Sequence, residues 1–115
     1  MNEEFVNKLK PFFWVETCNS FSLCLGVGGF KDGIFESRAD EGFEGNGYDW
    51  GSLAHVFLNE IMPELKKDIG FDPEGSMFCV YSKNEDALQK FALGFRAMCD
   101  DDKKMLDLFS RAELD

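Results

Sequence analysis

A chain of 115 residues that catalyses a reaction needs a nucleophile, a general base or a bound cation, and few side chains here offer one. His55 is the single histidine. One imidazole cannot build a histidine-rich zinc site, and no serine or cysteine stands at a spacing that reads as a triad with it. On a helix it needs only ordinary packing, whereas a general base must reach the proton it removes. Asp72 and Glu74 flank Pro73 in a turn. A carboxylate pair is raw material for acid–base work, but nothing beside it in sequence divides the roles of acid and base. Asp100, Asp101 and Asp102 run consecutively. A calcium loop instead alternates its acidic ligands around a glycine and closes on a glutamate, so helix capping explains the run better. Gly26, Gly28, Gly29 and Gly33 miss the dinucleotide fingerprint, because Lys31 stands where its third glycine belongs, and no phosphate-loop lysine follows. No metal and no cofactor is expected. A small enzyme working through His55, Asp72 or Glu74 is the minor alternative.

Residues 35–50, FESRADEGFEGNGYDW, carry a different kind of chemistry. Glu36, Asp40, Glu41, Glu44 and Asp49 stand against one base, Arg38, with Phe35, Phe43, Tyr48 and Trp50 interleaved. Carboxylates steer and pair with a basic partner while aromatic rings anchor it. The bland counterpart is a solvated acidic loop whose rings tuck under a sheet, which suits Phe35 and Trp50. The whole chain shares the bias, with 12 basic against 22 acidic residues and a net charge of −10. Nucleic acid and anionic membranes repel such a molecule, and basic proteins attract it. The opening MNEEFVNKLK lacks the apolar segment of a signal peptide. No apolar run approaches the roughly 18 residues of a membrane helix, so a cytoplasmic protein is expected. Cys18, Cys24, Cys79 and Cys99 lack a CxxC spacing and lie in apolar segments, as reduced core thiols do.

The elements that must position these groups form a single domain over residues 1–115, rich in phenylalanine at 13 copies. Residues 3–10 form a short helix that Pro11 stops. Residues 12–18 and 21–27 read as an antiparallel hairpin on an Asn19-Ser20 turn, which sets Cys18 opposite Phe21. Phe12, Trp14 and Cys18 then share a face with Phe21, Leu23, Leu25 and Val27. Glu16 falls on that face too; a longer loop, a partner for Glu16 or a partly exposed face would each resolve the misfit. Residues 33–37 are predicted to be a third short strand. After the Gly45-Asn46-Gly47 turn, Asp49 caps a long helix whose Leu53, Phe57, Ile61, Leu65 and Ile69 recur every four residues. Pro63 kinks or splits it, and Gly70 with Pro73 ends it. Residues 76–81 read as a strand, and Ser82 to Glu85 as a capping box for a helix bearing Leu88, Phe91, Phe95 and Met98. A last helix opens at the aspartate run and turns Met105, Leu106 and Phe109 inward. The order predicts an α+β fold, an antiparallel sheet of about four strands packed on a long central helix and C-terminal helices.

The run EGNGYDW, a helix ending in MPEL, the segment FDPEGSMFCVYS, and a helix closing on Cys-Asp-Asp before SRAEL occur together here. In combination they resemble the immunity protein 51 family of bacterial polymorphic toxin systems, over most of the chain from Trp14 onward. Gly47, Tyr48, Asp49, Trp50, Phe71, Asp72, Pro73, Glu74, Met77 and Phe78 match its pattern. The resemblance implies an α+β domain that neutralises a toxin encoded beside it, by blocking the toxin's active site or an adjacent surface, with no catalysis of its own. It assigns no inhibitory residue, so the matching positions serve fold or contact. Glu36, Asp40, Glu41, Glu44, Tyr48 and Asp49 are the expected contacts with a basic toxin domain, a nuclease for example. The protein would act as a monomer or weak homo-oligomer. A regulatory or scaffold module with several partners is the remaining alternative.

Overall fold

Pro11 and the Gly26–Gly29 cluster bound the first strand pair, and the loop inside it decides its register. The computed structural model describes residues 3–114. Helix α1 (Glu3–Leu9) leads into β1 (Phe13–Glu16), which pairs antiparallel with β2 (Phe21–Gly26). Glu16 lies opposite Phe21, so the loop spans residues 17–20 rather than two residues. The Thr17 amide and hydroxyl both donate to the Ser20 carbonyl, at 2.9 and 3.2 Å, and close it. Cys18 thereby leaves the sheet and becomes exposed, unlike the core thiol expected. A slip of two residues preserves the side-chain parity of a strand, so the expected face survives. Glu16 sits on it at the exposed end of the edge strand and accepts from Trp14 Nε1 at 3.3 Å.

Residues 33–37 do not form a strand. Helix α2 (Asp32–Glu36) replaces it, entered through Lys31 at φ 59°. Ile34 and Phe35 are both buried. Neighbouring residues point to opposite faces of a strand, whereas a helix turns both inward.

Helix α3 (Gly47–Ile61) begins at Asn46, not at Asp49. The Asn46 side chain accepts the Asp49 amide at 2.9 Å and the Asp49 carboxylate accepts the Asn46 amide at 3.4 Å, a capping box. Pro63 splits the expected long helix. Met62 leaves helical geometry at φ −132°, and Pro63–Asp68 continues as a 3-10 segment with the proline at its start. Leu65 and Ile69 stay buried from this second piece. Gly70 opens β3 (Gly70–Phe71), which pairs antiparallel with β4 (Met77–Ser82). The four-stranded sheet runs β1-β2-β4-β3, antiparallel throughout, as the α+β reading predicts.

Helix α4 (Glu85–Cys99) is capped by Asn84, which accepts the Ala87 amide at 3.2 Å. Ser82 remains the last strand residue, and its hydroxyl accepts the Asn84 amide at 2.9 Å, so the cap lies two residues beyond the expected box. Asp101 caps α5 (Asp102–Phe109). Leu106 is 41% exposed, and Leu108 takes the inward place expected of it. Trp50 is fully buried at the centre, its ring 5.0 to 6.1 Å from those of Phe12, Phe30, Phe35, Phe78 and Phe95. This is where the phenylalanines go. The pairs with Phe12 and Phe95 are edge-to-face and that with Phe30 is stacked, and such pairs add about 0.5–1.5 kcal/mol each beyond burial. Leu23, Leu25, Phe78 and Val80 line the sheet face under the helices. The opposite face leaves Phe13, Val15 and Tyr81 at 44%, 38% and 43% exposure. Among the described residues no helix is long and apolar enough to cross a membrane.

Candidate functional site

The acidic segment is held by two polar anchors, one buried and one partly exposed. Asp49 is 2% exposed. Its Oδ2 accepts the amides of Glu44 at 2.6 Å, Gly45 at 2.8 Å and Asn46 at 3.4 Å. Three amides can converge on one oxygen because Gly45 sits at φ +77°, a conformation L side chains rarely adopt. Asp49 therefore shapes the loop from below, its carboxylate buried against backbone amides and not exposed as the contact role expected of it would need.

Arg38 is the second anchor. Its Nε and Nη2 bind both oxygens of Glu41 at 2.9 and 2.8 Å, while Nη1 donates to the carbonyls of Phe109 and Ala112. Its guanidinium carbon lies 4.5 Å from the Phe43 ring and 5.1 Å from the Phe109 ring. The hydrogen bonds from Arg38 hold the Glu41 carboxyl below its ordinary range. Glu41 is thus engaged within the chain. The arginine fastens the acidic segment to the end of α5, and so brings Leu114 beside Gly42.

A depression of about 420 Å³ results, lined by Gly42, Glu44, Asn46, Tyr48, Asp49 and Leu114. Tyr48 is 43% exposed and Leu114 49% exposed, large apolar surfaces on its rim. A second hollow of about 380 Å³ continues past Leu114 along α3, lined by Ser52, His55, Val56, Asn59, Arg111 and Glu113. Tyr48, Ser52, His55 and Asn59 are spaced four, three and four residues apart, one outer stripe of the helix. The structure thus brings Glu44 and Tyr48 together and joins them to His55. Glu36 and Asp40 are exposed outside the hollow. The C-terminal Glu113 and Leu114 escape notice in sequence because nothing local links them to residue 44. The helical spacing from Tyr48 to His55 was the available signal.

The remaining chemical candidates have structural partners. The His55 ring stacks on Phe71 at 3.9 Å. Asp100 pairs with Arg96 and Asp102 with Lys31, each at 2.7 Å, while Asp101 caps α5. Among the described residues, no three His, Cys, Asp or Glu side chains gather where a metal could bind. Asp72 and Glu74 are exposed on either side of Pro73.

The motif positions meet one another. Gly47 donates its amide to the Gly75 carbonyl at 3.1 Å, and a Cβ there would stand 1.9 Å from the Glu74 oxygen. Gly51 lies against Pro73, His55 against Phe71, and Trp50 against Phe78. The two runs, EGNGYDW and FDPEGSMF, are therefore the halves of one joint that lays the start of α3 on the β3–β4 turn.

The sequence model of immunity protein 51 matches residues 12–114. No curated protein and no solved structure matches the chain. The chain belongs to the immunity protein 51 family.

Proposed function

We propose that this member of the immunity protein 51 family binds one cognate toxin domain in the producing bacterial cell and blocks its active site or an adjacent surface. The contact is the acidic lip and groove beside α3. Glu44 is exposed at the groove and Glu36 and Asp40 on the segment outside it, Glu41 contributes charge from its pair with Arg38, and Tyr48 with Leu114 provides apolar anchors. The observation that carries this reading is the concave rim itself, where the exposed Tyr48 and Leu114 lie beside the exposed Glu44. On a chain of net charge −10, such a site attracts a basic protein, a nuclease among them, and steers its approach. No bond is made or broken by the inhibitor's own side chains. Occupancy suffices.

The test uses the product of the neighbouring gene, co-purified with the full chain. Asp40→Lys with Glu44→Lys is expected to slow association ~10-fold or more and to flatten its salt dependence, with the melting temperature held within ~2 °C. Tyr48→Ala is expected to speed dissociation. Unchanged affinity in both variants removes the groove from the interface. The open sheet face is the second reading, because Phe13, Val15 and Tyr81 form an exposed apolar surface there. Loss of binding in Val15→Glu, with full binding in the groove variants, would move the contact to that face.

A further inference from the structure

Two thiols face each other across the centre of the sheet. Cys24 on β2 lies directly opposite Cys79 on β4, and their Sγ atoms are 3.3 Å apart. The Cys79 carbonyl accepts the Asp72 amide at 3.0 Å on the β3 side. Its backbone polar groups therefore point away from β2, which makes Cys24 and Cys79 a non-hydrogen-bonded pair. In such pairs the Cα atoms lie about 4.5 Å apart and the side chains are closest. That separation falls within the roughly 4.4–6.8 Å that a disulfide spans. By strand parity both thiols lie on the open face, with Phe13, Ser22 and Tyr81, rather than under the helices. Cys79 is half-buried and Cys24 is 4% exposed. One thiol is open to a small reagent and the other stands behind it.

We propose that Cys24 and Cys79 form a thiol–disulfide exchange site that low-molecular-weight disulfides, such as oxidised glutathione, convert into a β2–β4 cross-strand disulfide. Cys79 loses its proton to solvent, and its sulfur attacks the glutathione disulfide. One glutathione thiolate leaves and a mixed disulfide remains. Cys24 then gives up its proton and attacks the Cys79 sulfur, and the second glutathione leaves. Both protons end on the released glutathiones, and the two cysteines are oxidised as the reagent is reduced. The order follows from access. Burial first, then the neighbouring Cys79 thiol, pushes the Cys24 thiol up to about 12, so it is a poor first attacker. At the second step its contact with the reacting sulfur offsets the small thiolate fraction. The product staples the two central strands and closes a long loop of the chain. The site is independent of the toxin-binding groove.

The exposed Cys18 is removed first, by Cys18→Ser in the full chain, so that its own adducts do not intrude. Treated with oxidised glutathione, this variant is expected to lose a pair of hydrogen atoms in mass and carry no glutathione. Peptide mapping should join Cys24 to Cys79, and the melting temperature should rise by ~10 °C and return on adding dithiothreitol. With Cys24→Ser added, the reaction should stop at a stable glutathione adduct on Cys79; Cys24→Ala serves if the serine variant fails to fold. A lasting adduct on Cys79 while Cys24 is intact would overturn the proposal. So would two unreacted thiols after conditions that fully modify Cys18 in the unaltered chain.

Discussion

Replacing either glycine of the α3 start by alanine separates the joint described above from ordinary helix propensity. At Gly47 the new Cβ would stand 1.9 Å from the Glu74 oxygen and 2.3 Å from the Met77 oxygen. Those carbonyls cannot swing aside, because Glu74 and Met77 bind each other through both amides, at 2.8 and 3.2 Å. The helix must instead lift by about 1 Å to restore van der Waals contact, which breaks the Gly47–Gly75 hydrogen bond and loosens Trp50 from its ring of phenylalanines. Overpacking of this kind costs about 1–3 kcal/mol and the lost bond about 1 more, against a helical gain of at most ~1 for alanine over glycine. The net is a loss of ~1–3 kcal/mol, or a melting temperature lower by roughly 5–10 °C at this chain length. At Gly51, one turn later, the Cβ would meet only Pro73, at 3.8 Å. There the propensity gain stands alone, and Gly51→Ala should raise stability by about 0.5–1 kcal/mol. Urea unfolding of the two variants beside the parent chain measures both signs. Equal destabilisation at the two positions, or a Gly47→Ala chain as stable as the parent, would refute the close approach of α3 to the β3–β4 turn.

Two further outcomes follow from the polar anchors. Asp49→Ala leaves three loop amides without their acceptor and should cost about 3 kcal/mol, with Asp49→Asn near half of that; a loss below ~1 kcal/mol for the alanine, by urea unfolding, would mean that water replaces the carboxylate. Hydrogen bonds from Arg111 hold the Glu60 and Asp107 carboxyls below their ordinary values of 4.5 and 3.8. A lowered folded-state pKa contributes stability above the unfolded value and loses it as pH falls through the folded one. The melting temperature should therefore be level from neutral pH down to about 5 and decline below it, more steeply in the parent than in Arg111→Gln. All three groups are solvent-facing, so the difference should shrink in high salt, and identical acid limbs would exclude the network.

Much of the architecture is legible in local pattern. The alternation of residues 21–25, the spacing of Leu53, Ala54, Phe57 and Leu58, and the stripe Leu88, Phe91, Phe95, Met98 each report a period that backbone geometry imposes, whereas Ile61, expected on the buried stripe, is 40% exposed at the end of α3. Where reading by pattern fails, a distant partner has decided. Ile34 and Phe35 pass for a strand until Trp50 and Phe109 take up the Phe35 ring at 5.0 and 4.9 Å. Ser82 and Glu85 have the spacing of a cap, but pairing with Phe21 keeps Ser82 in the strand and Asn84 takes the cap.

The candidate site divides in the same way. Glu36, Asp40, Glu44 and Tyr48 announce themselves by composition, because charge and aromatic content are properties of residues and need no fold, whereas the exposure of Tyr48 beside the buried Phe43 and Trp50 does. The opposite fates of Asp49 and Glu44, five residues apart, depend on which carboxylate the turn at Gly45 directs inward. The addition of Leu114 to the rim depends on Arg38 reaching the carbonyls that end α5. The sequence alone determines which side chains exist and the period on which each segment buries them. Tertiary packing determines which of them meet across more than 60 intervening residues, since contacts such as Arg38 with Phe109 form only once both segments lie on the same core.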